Sequence, residues 1–237
     1  MLVTSRPLDE YCELFGLTRR RLRAVPGRIL DCPGGAAGLA AEARALGVEV
    51  VATDPAYAAP IATLAARARA GRAAMAAAMT ASPQLYPPTR HVQPARYLRG
   101  WDRARRLFEA DATDDPSRYV AAALPHLPFA DGSFALTLSS YLLFAYPELF
   151  PPAAQLAALL ELTRVTTPTG EVRVYPLHDG TGRRCPHLPE LRAALRHHGV
   201  SSRLLTLPRP GDATRGRTVL LLGHRDGRPG RLAGQLG

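Results

Sequence analysis

Two aspartates, Asp31 and Asp54, each follow a short run of aliphatic residues, and the glycine pair Gly34 and Gly35 lies between them. Glycine has no Cβ and tolerates positive φ, so the pair lets the backbone turn sharply and approach a ligand closely. A carboxylate at the position of Asp54 can accept hydrogen bonds from the two vicinal hydroxyls of a ribose. The residue types and their spacing therefore predict a site for an adenosine-containing ligand.

The residues around these groups predict the elements that must position them. A short aliphatic strand leads into Asp31, and apolar residues at helical spacing over 39–46 end at Gly47, where a C-terminal cap is expected. A β-branched run at 48–51 then predicts a second strand that ends at Asp54. Strand, glycine turn, helix and strand thus place one carboxylate at each strand end.

Seven strands are predicted along the chain, near 28–32, 48–53, 118–122, 134–140, 170–177, 202–207 and 217–224. A long helix over 152–165 connects the fourth and fifth strands. This order of elements predicts an α/β fold, a Rossmann-like and mostly parallel sheet with helices on both faces. We expect one domain over 1–225 and a disordered, glycine- and arginine-rich tail at 226–237.

The interval 58–117 is far longer than an ordinary connection between strands. Its alanine-rich first part, from Ile61 to Met79, predicts a helix by intrinsic propensity, and a second helix is expected around Trp101 to Phe108. Two arrangements remain open for this insertion: a lid that gives an aromatic wall to a substrate pocket, or helices packed against the sheet. Four residues supply the aromatic character: Tyr86, His91, Tyr97 and Trp101.

Ligands of open α/β sheets lie outside the carboxyl ends of the strands, where the strand order reverses. By this rule Leu124 and Pro125, which follow the third strand, border the adenine. Ser139, Ser140 and Tyr141, at the end of the fourth strand, approach the reacting end of the ligand.

Tyr141 and His178 are the candidates for a substrate pocket, because each follows a central strand. Each has an ordinary structural alternative. Tyr141 can pack its ring while its hydroxyl finds a backbone partner, and His178 with Asp179 can turn a surface loop. The sequence assigns no catalytic residue.

The composition excludes several classes of enzyme. The chain has a formal net charge of +10, yet it contains neither lysine nor asparagine, so every basic side chain apart from histidine is arginine. A phosphate-binding P-loop, a pyridoxal-phosphate Schiff base and protein-kinase catalysis each need a lysine. The arginine bias is typical of a GC-rich genome, so we discount the charge as a sign of a nucleic-acid partner.

Cysteine and histidine usage points away from disulfides and metals. Cys12, Cys32 and Cys185 are odd in number and far apart, which argues against a disulfide framework and favours a reducing cytoplasm. A cluster of Cys185 with three histidines, His187, His197 and His198, lies in a segment whose leucines predict an amphipathic helix, so we expect no metal. Neither a signal peptide nor an apolar run of about 18 residues is evident, so no membrane association is expected.

The chain resembles class I S-adenosylmethionine-dependent methyltransferases of the small-molecule type that includes the ubiquinone and menaquinone methyltransferases. Asp31 to Gly35 stands for the family's acidic glycine loop, Asp54 for its ribose-binding acid, and Leu127 to Phe134 for the L-P-F-x-D-G-S-F stretch. Glu161 and Arg164 fit the helix before the fifth strand.

The resemblance is most specific to bacterial methyltransferase type 11-like members that carry I-L-D-C-P-G-G. In those members L-F-x-Y and E-V-R-x-x-P-L follow, as Leu143 to Tyr146 and Glu171 to Leu177 do here. It implies S-adenosyl-L-methionine as cofactor, methyl transfer to a small molecule (EC 2.1.1.-) and an antiparallel last strand in a seven-stranded sheet. The cofactor-binding residues that it implies are Asp31, Pro33, Gly34, Gly35, Asp54, Pro55, Leu124, Pro125, Ser139 and Ser140.

The departures from the family pattern change what is expected of the site. PGGAAG replaces the G-x-G-x-G loop, and Ala123 stands where an acid often binds the adenine amino group. Adenine is therefore expected to be held by backbone groups and apolar contact. Asn-Pro-Pro-Tyr, the signature of amino methylation on adenine or glutamine, cannot occur without asparagine.

Two other functions remain open. One is an RNA-directed or non-catalytic relative that uses the fold to bind an adenosine ligand, with arginines at its rim. The weaker one is an NAD-dependent oxidoreductase, because a glycine turn followed by an acid about twenty residues on also occurs there. Its G-x-G-x-x-G is absent. The sequence leaves the oligomeric state open.

Overall fold

The computed structural model describes residues 3–83, 93–209 and 212–225, with 209 and 212–215 described by backbone alone. Tyr86, His91 and the predicted tail at 226–237 lie outside these ranges. The strands are β1 Ile29–Asp31, β2 Val50–Thr53, β3 Tyr119–Val120, β4 Phe134–Ser140, β5 Thr166–Tyr175, β6 Val200–Arg209 and β7 Asp212–His224. The helices are α1 Leu8–Phe15, α2 Arg19–Arg23, α3 Leu39–Arg44, α4 Ile61–Ala81, α5 Pro94–Asp114, α6 Pro152–Arg164 and α7 Leu188–His197.

The strands form one sheet in the order β3-β2-β1-β4-β5-β7-β6. β1 to β5 run parallel to their neighbours, whereas β7 is antiparallel to both β5 and β6. The predicted α/β fold, with a mostly parallel sheet and an antiparallel last strand, is confirmed. The strand order reverses between β1 and β4, so the carboxyl ends of these two strands border the crevice in which such sheets bind ligands.

The central strands are buried on both faces, as expected for parallel strands covered by helices. Every residue of β1 and β4 is buried. Leu30 and Phe134 pack into a core with α6 and α7 on one face, and Ile29 and Leu136 pack into a second core with α1 and α3 on the other. This two-sided burial holds the strand ends that form the site on a rigid support.

The insertion forms two helices, α4 and α5, that pack against each other, and α5 also packs on α3. Trp101 is completely buried, and its indole nitrogen donates a hydrogen bond to Glu10 Oε2 at 3.0 Å. Trp101 therefore packs against the body of the protein. Tyr97 on α5 and Met75 on α4, by contrast, line the cleft described below. Although α4 and α5 have 21 residues each, no helix within the described ranges is both long and apolar enough to cross a membrane.

A buried ion pair attaches β5 to the helices before β1. Arg173 donates to Glu171 Oε1 at 2.6 Å and to the carbonyl of Phe15. Glu171 also accepts a hydrogen bond from Arg203 at 2.8 Å. Burial lowers the pKa of Arg173, partly opposed by the neighbouring Glu171. The charge of each buried group is thus balanced by its partner.

Candidate cofactor and substrate site

A cleft of about 1810 Å³ lies at the carboxyl ends of the parallel strands. We call it the main cleft. A smaller cavity of about 330 Å³, the apolar lobe, adjoins it. Pro33 after β1 and Pro55 after β2 line both, so they lie at the boundary between the main cleft and the apolar lobe.

The predicted site residues divide into three groups by position. Those that line the main cleft are Pro33, Gly35, Asp54, Pro55, Ser140, Tyr141 and His178. Those that line the apolar lobe are Pro33, Pro55, Leu124 and Pro125. Three lie behind these walls: Asp31, Gly34 and Ser139. Ser139 points its hydroxyl into the protein, where it has no hydrogen-bond partner among the described residues.

The glycine loop leaves room for no side chain at its two glycines. A Cβ on Gly34 would lie 2.3 Å from the Tyr57 hydroxyl. Gly35 has φ +54°, and a Cβ there would lie 3.0 Å from the carbonyl oxygen of Thr4. Gly35 therefore meets both reasons for a glycine, a left-handed conformation and a close approach by backbone.

The backbone N–H groups of this loop are all engaged within the protein. The acceptors of residues 34 to 38 are, in order, Thr53 O, Asp54 Oδ2, Thr4 O, Gly34 O and Arg6 O, at 2.9–3.2 Å. A dinucleotide fold instead directs such N–H groups at a pyrophosphate. The loop therefore lacks the phosphate cradle of an NAD-binding site.

Asp54 holds the loop and still faces the main cleft. Its Oδ1 accepts a hydrogen bond from Ala56 N–H at 2.9 Å, which caps the 3₁₀ helix Pro55–Ala58, and its Oδ2 accepts one from Gly35 N–H at 3.0 Å. Burial raises the pKa of Asp54, and these backbone hydrogen bonds partly oppose the shift. A carboxylate offers about four acceptor positions, so two remain for a ligand.

Asp31 lies beneath the cleft wall. Its side chain accepts a hydrogen bond from the Tyr11 hydroxyl at 2.8 Å through Oδ2, whereas Oδ1 has no partner among the described residues. Burial raises the pKa of Asp31 to about 8, although Tyr11 and Arg6 act in the opposite direction. A buried acceptor without a donor is uncommon in folded proteins, so Oδ1 is an acceptor that the described residues leave unsatisfied.

Arg6, which the sequence analysis did not select, occupies the wall of the main cleft and is almost fully buried. Its guanidinium carbon lies 4.1 Å from the ring centroid of Tyr141, and its Nε lies 3.2 Å from Glu10 Oε1. Glu10 also accepts hydrogen bonds from Tyr97 and Trp101, each at 3.0 Å. The N-terminal segment, residues 3–15, therefore brings a fixed cation to the site.

No local motif marks Arg6 as a site residue. It precedes a helix whose apolar face is buried, and its position follows from backbone pairing between the N-terminal segment and the glycine loop. The sequence does show an amphipathic helix at 8–15, which predicts that this helix packs against the sheet. That pattern does not predict where the Arg6 side chain lies.

The apolar lobe is walled by Pro55, Leu124, Pro125 and Phe150. The stretch from Leu127 onward is held in place by α6: Leu127 N–H donates to Glu161 at 2.7 Å, and Arg164 donates to the carbonyls of Leu127 and Phe129. Arg164 also pairs with Asp131 at 2.6 Å. The L-P-F-x-D-G-S-F stretch thus supports the wall of the lobe from outside.

Tyr141 has φ +52° and is the one non-glycine residue with positive φ within the described ranges. Its N–H donates to Tyr175 O at 2.7 Å, and its ring meets the Tyr175 ring edge to face with centroids 5.6 Å apart. A non-glycine residue in this conformation costs of order 1–3 kcal/mol and often occurs at functional sites. Tyr141 lines the main cleft, and its ring lies against the Arg6 guanidinium.

The described residues hold no group of three or more histidine, cysteine or acidic side chains placed to bind a metal ion. Cys185 Sγ lies 3.5 Å from His187 Nε2, which in turn lies 2.8 Å from Gln155 Oε1. Burial raises the pKa of the Cys185 thiol, so the residue has no activated thiolate. His197 ends α7 and His198 follows it, away from this pair in the sequence.

No family model matches the chain, and no curated protein matches it. Among solved structures, 1,6-didemethyltoxoflavin-N1-methyltransferase of Burkholderia thailandensis shares 19% identity at a TM-score of 0.48, over 88% of this chain and 76% of the other. The O-methyltransferase NcsB1 from neocarzinostatin biosynthesis shares 14% identity at 0.48; the match covers 92% of this chain but spans only 56% of NcsB1. A TehB-like S-adenosylmethionine-dependent methyltransferase of Corynebacterium glutamicum shares 15% identity at 0.45, over 87% and 86%. At these identities and TM-scores, the names of those proteins say nothing about the ligand or reaction of this chain.

Proposed function

We propose that this protein is an S-adenosyl-L-methionine-dependent methyltransferase of the class I, type 11-like kind, acting on a small molecule. The observation that carries the proposal is the division of the site. An apolar lobe of about 330 Å³ adjoins a main cleft whose nearest walls hold two buried carboxylates and a buried cation. The adenine of the cofactor suits the apolar lobe, its ribose suits Asp54, and its amino-acid part suits Asp31 and Arg6.

The adenosine part fits the apolar lobe and Asp54. Leu124, Pro125 and Phe150 offer apolar contact to the faces of a purine, in agreement with Ala123 at the position of the missing acid. Asp54, with two acceptor positions left, would take the ribose hydroxyls. Pro55 lies between the lobe and Asp54 and spaces the two moieties.

The amino-acid part fits Asp31 and Arg6. Asp31 Oδ1 lacks a donor and would accept a hydrogen bond from an α-ammonium group. Arg6 would pair with the α-carboxylate, because a guanidinium binds a carboxylate in two parallel hydrogen bonds. The cofactor, when bound, supplies a methyl group activated on a sulfonium. Ser140 and Tyr141, at the end of β4, line the main cleft and would face the reacting end of the bound cofactor.

The same contacts weigh against the NAD-dependent alternative. The N–H groups of residues 34 to 38 already have acceptors inside the protein, so a pyrophosphate would find none of them free. An RNA-directed or non-catalytic relative stays the alternative function. Strongly salt-dependent RNA retention, with a steep fall between 50 and 200 mM salt expected for several phosphate contacts, would favour it.

Calorimetric titration with S-adenosylhomocysteine tests the proposal. The wild-type protein is expected to bind it, and Asp54→Ala is expected to weaken binding at least tenfold, with circular dichroism confirming that the variant is folded. Asp9→Ala is the matched control, because the Asp9 side chain is 73% exposed and pairs only with Arg19 in the described structure. Absence of binding to folded wild-type protein would refute the proposal.

A further inference from the structure

A short hairpin directly after β5 places a histidine and an arginine side by side. Asp179 N–H donates to Arg183 O at 2.9 Å, and Cys185 N–H donates to Leu177 O at 3.0 Å. His178 and Arg184 are the bridged residues between these two hydrogen bonds. In an antiparallel ladder such a pair is not itself hydrogen-bonded, and its side chains leave the same face close together. Both residues line the main cleft.

Arg184 brings an unneutralised positive charge to this cleft. It makes no ion pair or side-chain hydrogen bond within the described ranges, whereas its neighbour Arg183 pairs with Asp179 at 3.2 Å. Of the other arginines that line the cleft, Arg6 pairs with Glu10 and Arg217 with Glu13. Arg67 on α4 makes no ion pair within the described ranges, but it does not lie beside His178 as Arg184 does. Arg184 is also exposed, so its guanidinium can meet an anion without first breaking a bond inside the protein.

His178 is held in the tautomer of a base. Its Nδ1 lies 2.8 Å from the carbonyl oxygen of Asp179. A carbonyl oxygen only accepts hydrogen bonds, so the neutral ring carries its hydrogen on Nδ1 and keeps the Nε2 lone pair. No hydrogen-bond partner for Nε2 occurs among the residues that the structure describes. Nε2 is therefore able to accept a proton from a molecule in the cleft.

An aromatic wall continues from His178 to the reacting end of the proposed cofactor site. The rings of Tyr175 and His178 meet edge to face at 6.2 Å, and Tyr175 meets Tyr141 in the same way at 5.6 Å. Edge-to-face contacts of this kind suit another flat ring placed beside them. The wall favours an acceptor that is planar and aromatic.

We infer that the methyl acceptor is an aromatic carboxylic acid that carries a hydroxyl group. Arg184 binds its carboxylate, the Tyr141–Tyr175 wall lies against its ring, and His178 Nε2 receives the hydroxyl proton. This inference rests on the proposed function and adds the substrate class and the proton acceptor to it.

The transfer balances in atoms and charge. A lone pair of the acceptor oxygen forms a bond to the methyl carbon while the bond from that carbon to sulfur breaks, and the electron pair of the broken bond stays on sulfur as a thioether. The hydroxyl proton passes to His178 Nε2, and the resulting imidazolium returns it to solvent. A positioned base of this kind contributes about 10²- to 10⁴-fold to the rate.

Binding of small probes separates the role of Arg184 from a general effect of charge. The probes are 2- and 3-hydroxybenzoate and the matching hydroxybenzamides, titrated into protein saturated with S-adenosylhomocysteine. We expect the acids to bind at least tenfold more tightly than the amides. Arg184→Gln should reduce this difference to less than twofold. Arg196→Gln, with the same loss of charge at an exposed position of α7, should keep it, since Arg196 does not line the cleft.

Transfer from labelled S-adenosylmethionine to the same acids tests His178. His178→Gln should lower kcat about 100-fold or more and leave the KM of the acid within threefold. The inference is overturned if acids bind no better than amides, if Arg196→Gln and Arg184→Gln behave alike, or if His178→Gln keeps kcat. Failure of S-adenosylhomocysteine to bind the wild-type protein is a separate result, which refutes the proposed function itself.

Discussion

Asp31 is a buried carboxyl whose two oxygens differ: Oδ2 accepts a hydrogen bond from Tyr11, and Oδ1 has no partner among the described residues. Removing a carboxylate from water without a donor for one of its oxygens disfavours the ionised form, and the pKa rises to about 8. The ordinary pKa of an aspartate side chain, expected in the unfolded chain, is 3.8. Between these values the folded protein holds a proton that the unfolded chain has released, so folding stability falls as pH rises from about 4 to about 8.

Asp31→Asn should remove this pH dependence, because the amide oxygen can still accept the hydrogen bond from Tyr11 and carries no charge. The stability of the variant relative to wild type should therefore increase with pH across that window, by at most about 1.4 kcal/mol per pH unit. Urea denaturation of both proteins at pH 5, 6.5 and 8, without ligand, measures the difference. A difference that stays constant with pH would contradict the shifted pKa.

Replacement of Gly35 should affect both folding and ligand binding. Alanine there must adopt φ +54° and place its Cβ 3.0 Å from a backbone carbonyl, so Gly35→Ala should cost about 1–2 kcal/mol of folding free energy. It should also weaken the binding of S-adenosylhomocysteine, because the added Cβ forces the glycine loop and the Thr4 backbone apart. Gly100→Ala is the control: its Cβ would meet only Pro7, at 3.8 Å, inside α5. That change should raise stability by up to about 1 kcal/mol.

The residue scale is also where the limits of the sequence are clearest. Asp31, Gly35 and Asp54 were predictable because strand, turn and strand are contiguous in the chain and set their spacing locally. Arg6 and the hairpin pair were only partly predictable or not at all. Their roles depend on contacts between segments far apart in the chain, such as that of Arg6 with Tyr141, which no local pattern encodes.

The strands were predictable because central strands buried on both faces are apolar along their length. The residues at which a strand begins and ends depend on the strands that pair with it. β4 was predicted over its full length, because an apolar strand between two helical layers needs no partner to be recognised. β5 begins at Thr166, before the predicted residue 170, because its first residues pair with β4 across a register shift at Phe134. β3 is confined to Tyr119–Val120 by the short edge of β2 that it pairs with.

The buried ion pair of Glu171 and Arg173 on β5 should contribute strongly to folding stability. Glu171→Gln leaves the Arg173 guanidinium buried without a full counter-charge, and breaking a buried pair in this way costs about 3–5 kcal/mol. Arg173 is 1% exposed, so solvent cannot replace the lost carboxylate. Chemical denaturation should show this loss. Glu148→Gln, an exposed glutamate on the loop before α6, should change stability by less than about 0.5 kcal/mol. Equal effects of the two changes would show that the pair contributes nothing.

For the whole molecule, the net charge of +10 does not by itself identify a partner. Several arginines have a counter-charge beside them: Arg44 has three aspartates at the C-terminal end of α5, Arg72 has Asp102, and Arg164 has Asp131. Surface pairs of this kind add little stability. The net charge of +10 already counts their carboxylates, so ion pairing leaves the net charge unchanged and affects only how charge is distributed over the surface. Arg184, which has no ion pair within the described ranges and lines the main cleft, is a more specific sign of an anionic ligand than the net charge of the chain.

The site is assembled from parts that are distant in the chain, and ligand binding should connect them. The N-terminal segment is hydrogen-bonded to the glycine loop through Thr4 O and Arg6 O, and Tyr11 is hydrogen-bonded to Asp31. A ligand that pairs with Arg6 and Asp31 must therefore hold segment and loop together. At a concentration of 100 Kd it stabilises the bound form by about 2.7 kcal/mol.

Hydrogen exchange with and without S-adenosylhomocysteine should locate this stabilisation. Slower exchange is expected over residues 4–15 and 34–38, since opening of either stretch requires loss of the ligand. The antiparallel pair β6–β7 contributes only rim residues of the main cleft and should exchange at nearly unchanged rates over 219–222. Protection confined to the strand ends, with the N-terminal segment unaffected, would mean that Arg6 takes no part in binding and that the donor is held by the sheet alone.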